Sequence, residues 1–203
     1  DGVIRGFYNV CRHRGHELLK ENGCISRITC PYHAWTYDLD GKLVAAPNSN
    51  EVKNFNAENY PLRTVGVEIL AGLIFINLDV NATPLAEQAL GLETEIREFA
   101  PGCDNLVHAH RERDIMKCNW KVAAENWSEC YHCYVVHKSL AAEFIDFSTF
   151  RIELNPLYQR QRMMLRDEVA TDSENREQAS WTLLPNLGIQ IVAGGYIMTS
   201  LWR

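Results

Sequence analysis

Apolar and polar positions alternate along short stretches of the first eighty residues, which predicts strands. Residues 3–11 form one β-rich run and residues 24–30 another, with Ile25 and Ile28 as its apolar positions. Residues 34–39 lead into Asp40-Gly41 and residues 42–45 follow; Asp-Gly between two such runs predicts a hairpin. Residues 65–70 and 73–78 predict a second hairpin around Ala71-Gly72. The period then changes. Leu85, Ala89, Leu92, Ile96 and Phe99 recur at steps of four and three, the stripe of an amphipathic helix. Thr83 is the expected N-cap, Pro84 suits the first helical position, and Pro101-Gly102 ends the segment. This change places a domain boundary near residue 80, dividing the chain into residues 1–80 and 81–203. Beyond it, residues 106–116 read as a strand and 119–137 as a helix. Residues 150–154, 158–169, 181–184, 187–193 and 196–202 read as strands, with a polar loop at 172–178. The expectation is an α+β chain whose first domain is β-rich.

Bulk composition narrows the function classes. With 46% hydrophobic and 23% charged residues, the 203-residue chain has the balance of a soluble globular protein. Its net charge of −6, with both signs dispersed, argues against nucleic acid as a partner, because a phosphate backbone attracts a basic face. No apolar run is long enough to span a bilayer, so no membrane partner is expected, and the cysteine usage described next points to a cytoplasmic protein. Seven cysteines at uneven spacing fit a disulfide framework poorly; reduced thiols, some of them metal ligands, are expected.

Two of those thiols stand in paired motifs. Cys11-Arg12-His13 precedes Cys30-Pro31-Tyr32-His33, and each pair joins a thiolate to an imidazole on a short loop. Zinc accepts the same four ligands. Zinc fingers, however, usually put both cysteines in one pair and both histidines in the other. The mixed arrangement suits a [2Fe–2S] cluster in which one iron takes the cysteines and the other the histidines. Neutral imidazoles leave such a cluster less negative than four thiolates would, so it is more easily reduced.

A second constellation lies downstream. Glu129, His132 and His137 follow Asn119-Trp120-Lys121 and Glu125-Asn126-Trp127-Ser128. Two histidines and a carboxylate are the facial ligand set of non-haem iron(II) oxygenases, although two unrelated histidines are the alternative that the residues alone leave open. On a regular helix His132 and His137 would be splayed by about 140°, so either the helix ends between them or it carries a π-bulge.

Residues 11–15 and 30–35, together with Glu129, His132 and His137 in that order, resemble the α subunit of Rieske non-haem iron oxygenases, the aromatic-ring-hydroxylating family. The Glu129-Cys130-Tyr131-His132-Cys133 run is most similar to the branch that acts on quaternary ammonium compounds such as glycine betaine, carnitine or stachydrine. The resemblance implies a Rieske domain followed by the first part of a helix-grip-like α+β catalytic domain. It implies a [2Fe–2S] cluster on Cys11, His13, Cys30 and His33, and mononuclear Fe(II) on His132 and His137. Glu129 matches the family's bridging acid, which links an iron-ligand histidine of one subunit to a cluster histidine of the next. The third iron ligand is then an aspartate expected beyond Arg203, since Asp146, Asp167 and Asp172 lack matching context, and the sequence reads as an internal fragment. Electrons from NAD(P)H reach the protein only indirectly, through a flavin/iron–sulfur reductase or a ferredoxin. Substrate and O₂ are the small-molecule partners, and the full-length form is expected to be a homotrimer. The activity implied is N-demethylation or hydroxylation, with aromatic-ring dihydroxylation and a pure Rieske electron carrier as the other readings.

Remaining polar and aromatic groups are expected to be structural. Cys130 and Cys133 form a C-x2-C pair that could be a redox dithiol but is expected to pack, and Cys24, Cys103 and Cys118 read as small buried hydrophobes. His16 and the His108/His110 pair are expected at the surface, and Trp181, Tyr196 and Trp202 are expected to pack.

Overall fold

The structure is a computed structural model that describes residues 2–167, 176–192 and 196–203. It divides into two compact units, Asp1–Ile69 with Ile74–Ala82, and Leu70–Leu73 with Thr83–Arg203. Among the described residues no helix is long and apolar enough to cross a membrane.

In the first unit, strands β1 (Gly6–Phe7), β5 (Thr64–Leu70) and β6 (Leu73–Asn77) form one antiparallel sheet in the order β1-β5-β6. Strands β2 (Ile28–Thr29), β3 (Thr36–Tyr37) and β4 (Leu43–Ala45) form another. The strand expected over residues 3–11 shrinks to two residues. Asn9 is the reason: its side chain bonds both the N–H and the C=O of Leu19, taking partners that a sheet ladder would otherwise supply. The Asp40-Gly41 turn forms as the pattern predicts, with Asp38 Oδ1 accepting the N–H groups of Asp40 and Lys42. Gly41 has φ 83°, and a Cβ there would lie 2.5 Å from the Phe7 ring, so glycine is required on both counts. Ala71 and Gly72 both have positive φ, as a tight hairpin turn demands.

The second unit begins with α1 (Leu85–Gln88) and α2 (Leu92–Phe99), where one continuous helix was expected. Gly91, at φ 93°, breaks it, and Pro84 rather than Thr83 occupies the N-cap. The apolar stripe is real: Ala89, Leu92 and Ile96 are buried. Residues 106–116 do not form the expected strand. Their alternation finds no partner among the described residues, and Val107 and Ile115 are 84% and 92% exposed. The helix expected over 119–137 is interrupted, giving α3 (Trp120–Trp127), capped by Asn119 Oδ1 accepting from Lys121 N–H, and the single turn α4 (Cys133–Val136).

Five strands follow in a meander: β7 (Ile145–Leu154), β8 (Tyr158–Leu165), β9 (Glu177–Leu183), β10 (Leu187–Val192) and β11 (Tyr196–Leu201), ordered β11-β10-β9-β8-β7. Strand β7 starts earlier than expected and carries an irregularity between Asp146 and Arg151. Strand β9 absorbs Glu177 and Gln178 of the expected polar loop, whose residues 172–175 lie outside the described residues.

Because side chains alternate across a strand, β8 presents two faces. Tyr158 and Arg160 turn toward α2, where Tyr158 Oη donates to Glu95 Oε1 at 2.9 Å and Arg160 pairs with Glu95 at 3.3 Å. Trp181 on β9 joins them, donating to Glu95 Oε2 at 2.8 Å. Gln159, Gln161 and Met163 face the other way, toward α3 and α4.

Burial, followed by the Glu95 carboxylate, pushes the Tyr158 hydroxyl up to about 12. In the unfolded chain the phenol ionises near 10. Between those values the folded state holds the extra proton, so this contribution is fully present below pH 10 and is lost as pH rises toward 12. Melting temperature is therefore expected to fall through that window, and less steeply in Tyr158→Phe, as followed by circular dichroism.

Candidate metal centres

The two Cys–His loops of the first unit have the same backbone wiring. Cys11 N–H donates to His16 O and Gly15 N–H to Cys11 O; Cys30 N–H donates to Trp35 O and Ala34 N–H to Cys30 O. The fourth residue after each cysteine is left-handed, Gly15 at φ 71° and Ala34 at φ 56°. Each loop thus folds back on its own cysteine and turns the thiol inward. Cys11 and Cys30 are 3% and 2% exposed and sit in a core with Leu18, Ile28, Trp35, Tyr37, Leu43 and Leu62. His13 and His33 stand at the surface with ring centroids 4.7 Å apart, and His13 stacks on Trp35. An open groove of about 680 Å³ runs past both histidines, bounded further by Trp35, Phe55 and Tyr60.

Electrostatics fit metal binding here. Desolvation, then the charges of His33 and Arg14, lowers the His13 pKa, which favours the neutral imidazole that ligates. Burial first, and the Cys11 contact second, raises the Tyr37 pKa, so Tyr37 keeps its proton; its hydroxyl lies 3.4 Å from Cys11 Sγ, placed to donate to a metal-bound thiolate there. Arg12 N–H in turn donates to Tyr37 Oη at 3.0 Å. Sequence reasoning missed Tyr37, because nothing local ties it to a cysteine 26 positions away.

In the second unit, α3 stops at Trp127 and the chain turns before α4. His132 is the N-cap of α4 and His137, at φ −104° and ψ 55°, is its C-cap. Ending the helix at Val136 keeps the imidazoles together: their ring centroids are 5.2 Å apart. Of the two expectations for this spacing, the helix end is the one realised, and a π-helical turn follows at Leu140–Phe144. Glu129 Oε1 lies 2.6 Å from His132 Nδ1, and its other oxygen accepts the Tyr131 N–H. The His132 hydrogen bond, ahead of the Tyr131 N–H, lowers the Glu129 pKa, so the carboxylate is ionised and accepts the Nδ1 proton, leaving Nε2 free. Asn126 Nδ2 also approaches His132 Nδ1, at 3.2 Å, a neighbour the spacing did not reveal.

Other groups fall in varied places. Cys130 and Cys133, expected as packing cysteines, are joined as a disulfide with Cα atoms 5.0 Å apart; Cys133 is also buried against Ala141, Ile145, Phe147 and Met163. Cys103 is buried as expected, but Cys24 and Cys118 are exposed. His110 lies at the surface 3.8 Å from Glu112. Asp146 is occupied by the backbone and hydroxyl of Ser148, and Asp167 by Arg176. Trp181 is fully buried and Trp202 packs edge-on against Trp127, whereas the Tyr196 side chain lies outside the described residues.

Known proteins carry the same two parts. Residues 1–56 match the Rieske [2Fe–2S] domain, and residues 103–203 match the ring hydroxylating alpha subunit (catalytic domain). The carnitine monooxygenase oxygenase subunit of Acinetobacter baumannii is 44% identical over 142 residues, 70% of this chain and 38% of that one. The glycine betaine monooxygenase oxygenase subunit of Chromohalobacter salexigens is 32% identical over 182 residues, 89% of this chain and 38% of its own. A crystal structure of the quaternary ammonium Rieske monooxygenase CntA in complex with an inhibitor superposes with a TM-score of 0.86 at 34% identity, covering 98% of this chain and 54% of that chain. The chain thus spans well under half the length of the curated relatives it matches. With a Rieske domain and a ring-hydroxylating catalytic segment in this order, the chain belongs to the Rieske non-haem iron oxygenase α-subunit family.

Proposed function

We propose that the full-length protein is the oxygenase component of a multicomponent Rieske monooxygenase that oxidises a quaternary ammonium compound, by N-demethylation or hydroxylation. One observation carries the reading: two like-wired Cys–His loops in one unit and a Glu129–His132–His137 set in the next. The similarity to carnitine and glycine betaine oxygenases supports this substrate class. Relatives at that level of identity favour it over aromatic-ring dihydroxylation, and the catalytic segment argues against a pure electron carrier.

Residues 1–80 form the Rieske domain, in which Cys11 and Cys30 would hold one iron of the cluster and His13 and His33 the other. The mixed donor set, one thiolate and one imidazole on each loop, suits a two-iron cluster, each iron of which asks for only two protein donors. Residues 81–203 begin the catalytic domain, with His132 and His137 as iron ligands and the third beyond Arg203. When bound, the cluster supplies single electrons and the mononuclear iron supplies O₂ activation. The chain's own residues prepare those sites. Tyr37 donates to the Cys11 sulfur, the exposed edges of His13 and His33 border the groove where a neighbouring subunit docks, and Glu129 fixes the His132 tautomer. Electrons come from NAD(P)H through a flavin/iron–sulfur reductase or a ferredoxin, in the cytoplasm, to a head-to-tail homotrimer. Oxygen uptake by the full-length protein with reductase tests this: uptake matched to oxidation of carnitine or glycine betaine is expected, and uptake indifferent to any quaternary ammonium compound contradicts it.

The Tyr37 hydrogen bond has its own consequence. A donor to a cluster sulfur favours the more negative, reduced state, so Tyr37→Phe is expected to lower the potential by on the order of 40 mV, the one-electron equivalent of about 1 kcal/mol. Protein-film voltammetry on the two proteins measures it, and an unchanged potential contradicts the assignment.

A further inference from the structure

Two glutamines on β8 occupy a place that the chemistry of Glu129 requires to be filled. In an unbroken helix the N–H of residue i donates to the carbonyl of residue i−4. Continuing α3 would therefore bond Tyr131 N–H to Trp127 O and His132 N–H to Ser128 O. In the structure the Tyr131 N–H goes to the Glu129 carboxylate instead, and the His132 N–H also faces that carboxylate. The two abandoned carbonyls are taken by the sheet: Gln161 Nε2 donates to Trp127 O at 2.8 Å, and Gln159 Nε2 donates to Ser128 O.

The amide of Gln161 is held in this sense. Its Oε1 accepts from Ser180 Oγ at 3.3 Å, which leaves Nε2 to face Trp127 O. Gln161, Ser180 and Thr182 are all buried polar residues, 5%, 5% and 3% exposed, on the sheet face that meets α3. Thr182 completes the clamp at 3.0 Å from Ser128 Oγ. A carbonyl shielded from water and left without a donor is costly enough to decide between a helix that ends at Trp127 and one that runs on.

We infer that Gln161 and Gln159 are positioning residues for the iron site: by supplying the donors that α3 gives up, they hold the helix open at Ser128 and so release Glu129 to engage His132. The inference rests on the reading of His132 and His137 as iron ligands. Without Gln161, Tyr131 N–H returns to Trp127 O, and the Glu129 carboxylate loses the backbone donor that orients it.

The test uses full-length protein depleted of the mononuclear iron, titrated with cobalt(II) and followed by its visible ligand-field bands, alongside single-turnover oxidation of the reduced cluster. Gln161→Met removes the donor at nearly constant volume. It is expected to weaken cobalt binding about 10-fold or more and alter the bands. Cluster oxidation should slow by a similar factor, with the cluster's own EPR spectrum and the substrate KM unchanged. Met163→Leu, a packing change on the same face of the same strand, is expected to leave all five unchanged. If Gln161→Met does not fold, Gln159→Met, at a half-buried position, carries the same expectation. Cobalt affinity and cluster oxidation within twofold of wild type in the glutamine variant would overturn the inference. Wild-type protein that binds no cobalt at His132 and His137 would overturn the iron-site reading beneath it.

Discussion

Replacing Glu129 by alanine in the full-length protein, assayed with iron in excess so that both metal sites stay filled, is expected to cut substrate-coupled oxygen consumption by about 100-fold, the upper range for losing a carboxylate behind a metal-ligating imidazole. The geometry explains the size. Glu129 Oε1 is 2.6 Å from His132 Nδ1, so the carboxylate both selects the tautomer that exposes Nε2 and fixes the ring plane. Its lowered pKa keeps it ionised through neutral pH, and a charged acceptor bonds the imidazole more strongly than a neutral one. Glu129→Gln keeps an acceptor oxygen and is expected to lose less, about 10-fold. Iron and sulfide analysis beside oxygen-electrode traces checks both variants. Full activity in the alanine variant would remove Glu129 from the mechanism.

Replacing Cys30 by serine is expected to abolish the cluster and to destabilise the first unit. Cys30 is 2% exposed and shares its core with Trp35, Tyr37 and Leu62, so its sulfur lies where folding and metal binding are one process. Loss of about 3 kcal/mol or more from a unit of this size lowers its melting temperature by roughly 12 °C or more. Visible absorption and calorimetry read the two effects. The exposed Cys24 and Cys118 supply the contrast: serine at either is expected to change stability by less than about 0.5 kcal/mol. A Cys30→Ser protein that keeps its colour would exclude Cys30 as a ligand.

What could be read from the sequence, and what could not, divides by range. The Cys11–His13 and Cys30–His33 loops were legible because each pair, its turn and its left-handed residue lie within five positions. The Asp40-Gly41 hairpin was legible for the same reason. The strands of the second half were legible from their alternation, to within a few residues at their ends. Failures came where a distant partner decides. Residues 106–116 alternate like a strand, yet among the described residues no strand lies beside them to accept their hydrogen bonds. Residues 119–137 have helix-compatible side chains throughout, and the break at Ser128 depends on Gln159 and Gln161, more than thirty positions away. Two glutamines at alternate positions of an otherwise apolar-and-arginine strand were the available signal for that clamp. Cys130 and Cys133 read as packing groups in preference to a redox dithiol, whereas the structure joins them as a disulfide across one turn.

The measurement that bears most directly on the account is pulsed EPR of the dithionite-reduced full-length protein, resolving magnetic couplings from nitrogen. Two histidine nitrogens coupled to a reduced [2Fe–2S] cluster, reduced to one in His13→Ala or His33→Ala if any cluster assembles, is the predicted result. A colourless protein with zinc on Cys11, His13, Cys30 and His33, or a cluster with no nitrogen coupling, would contradict it.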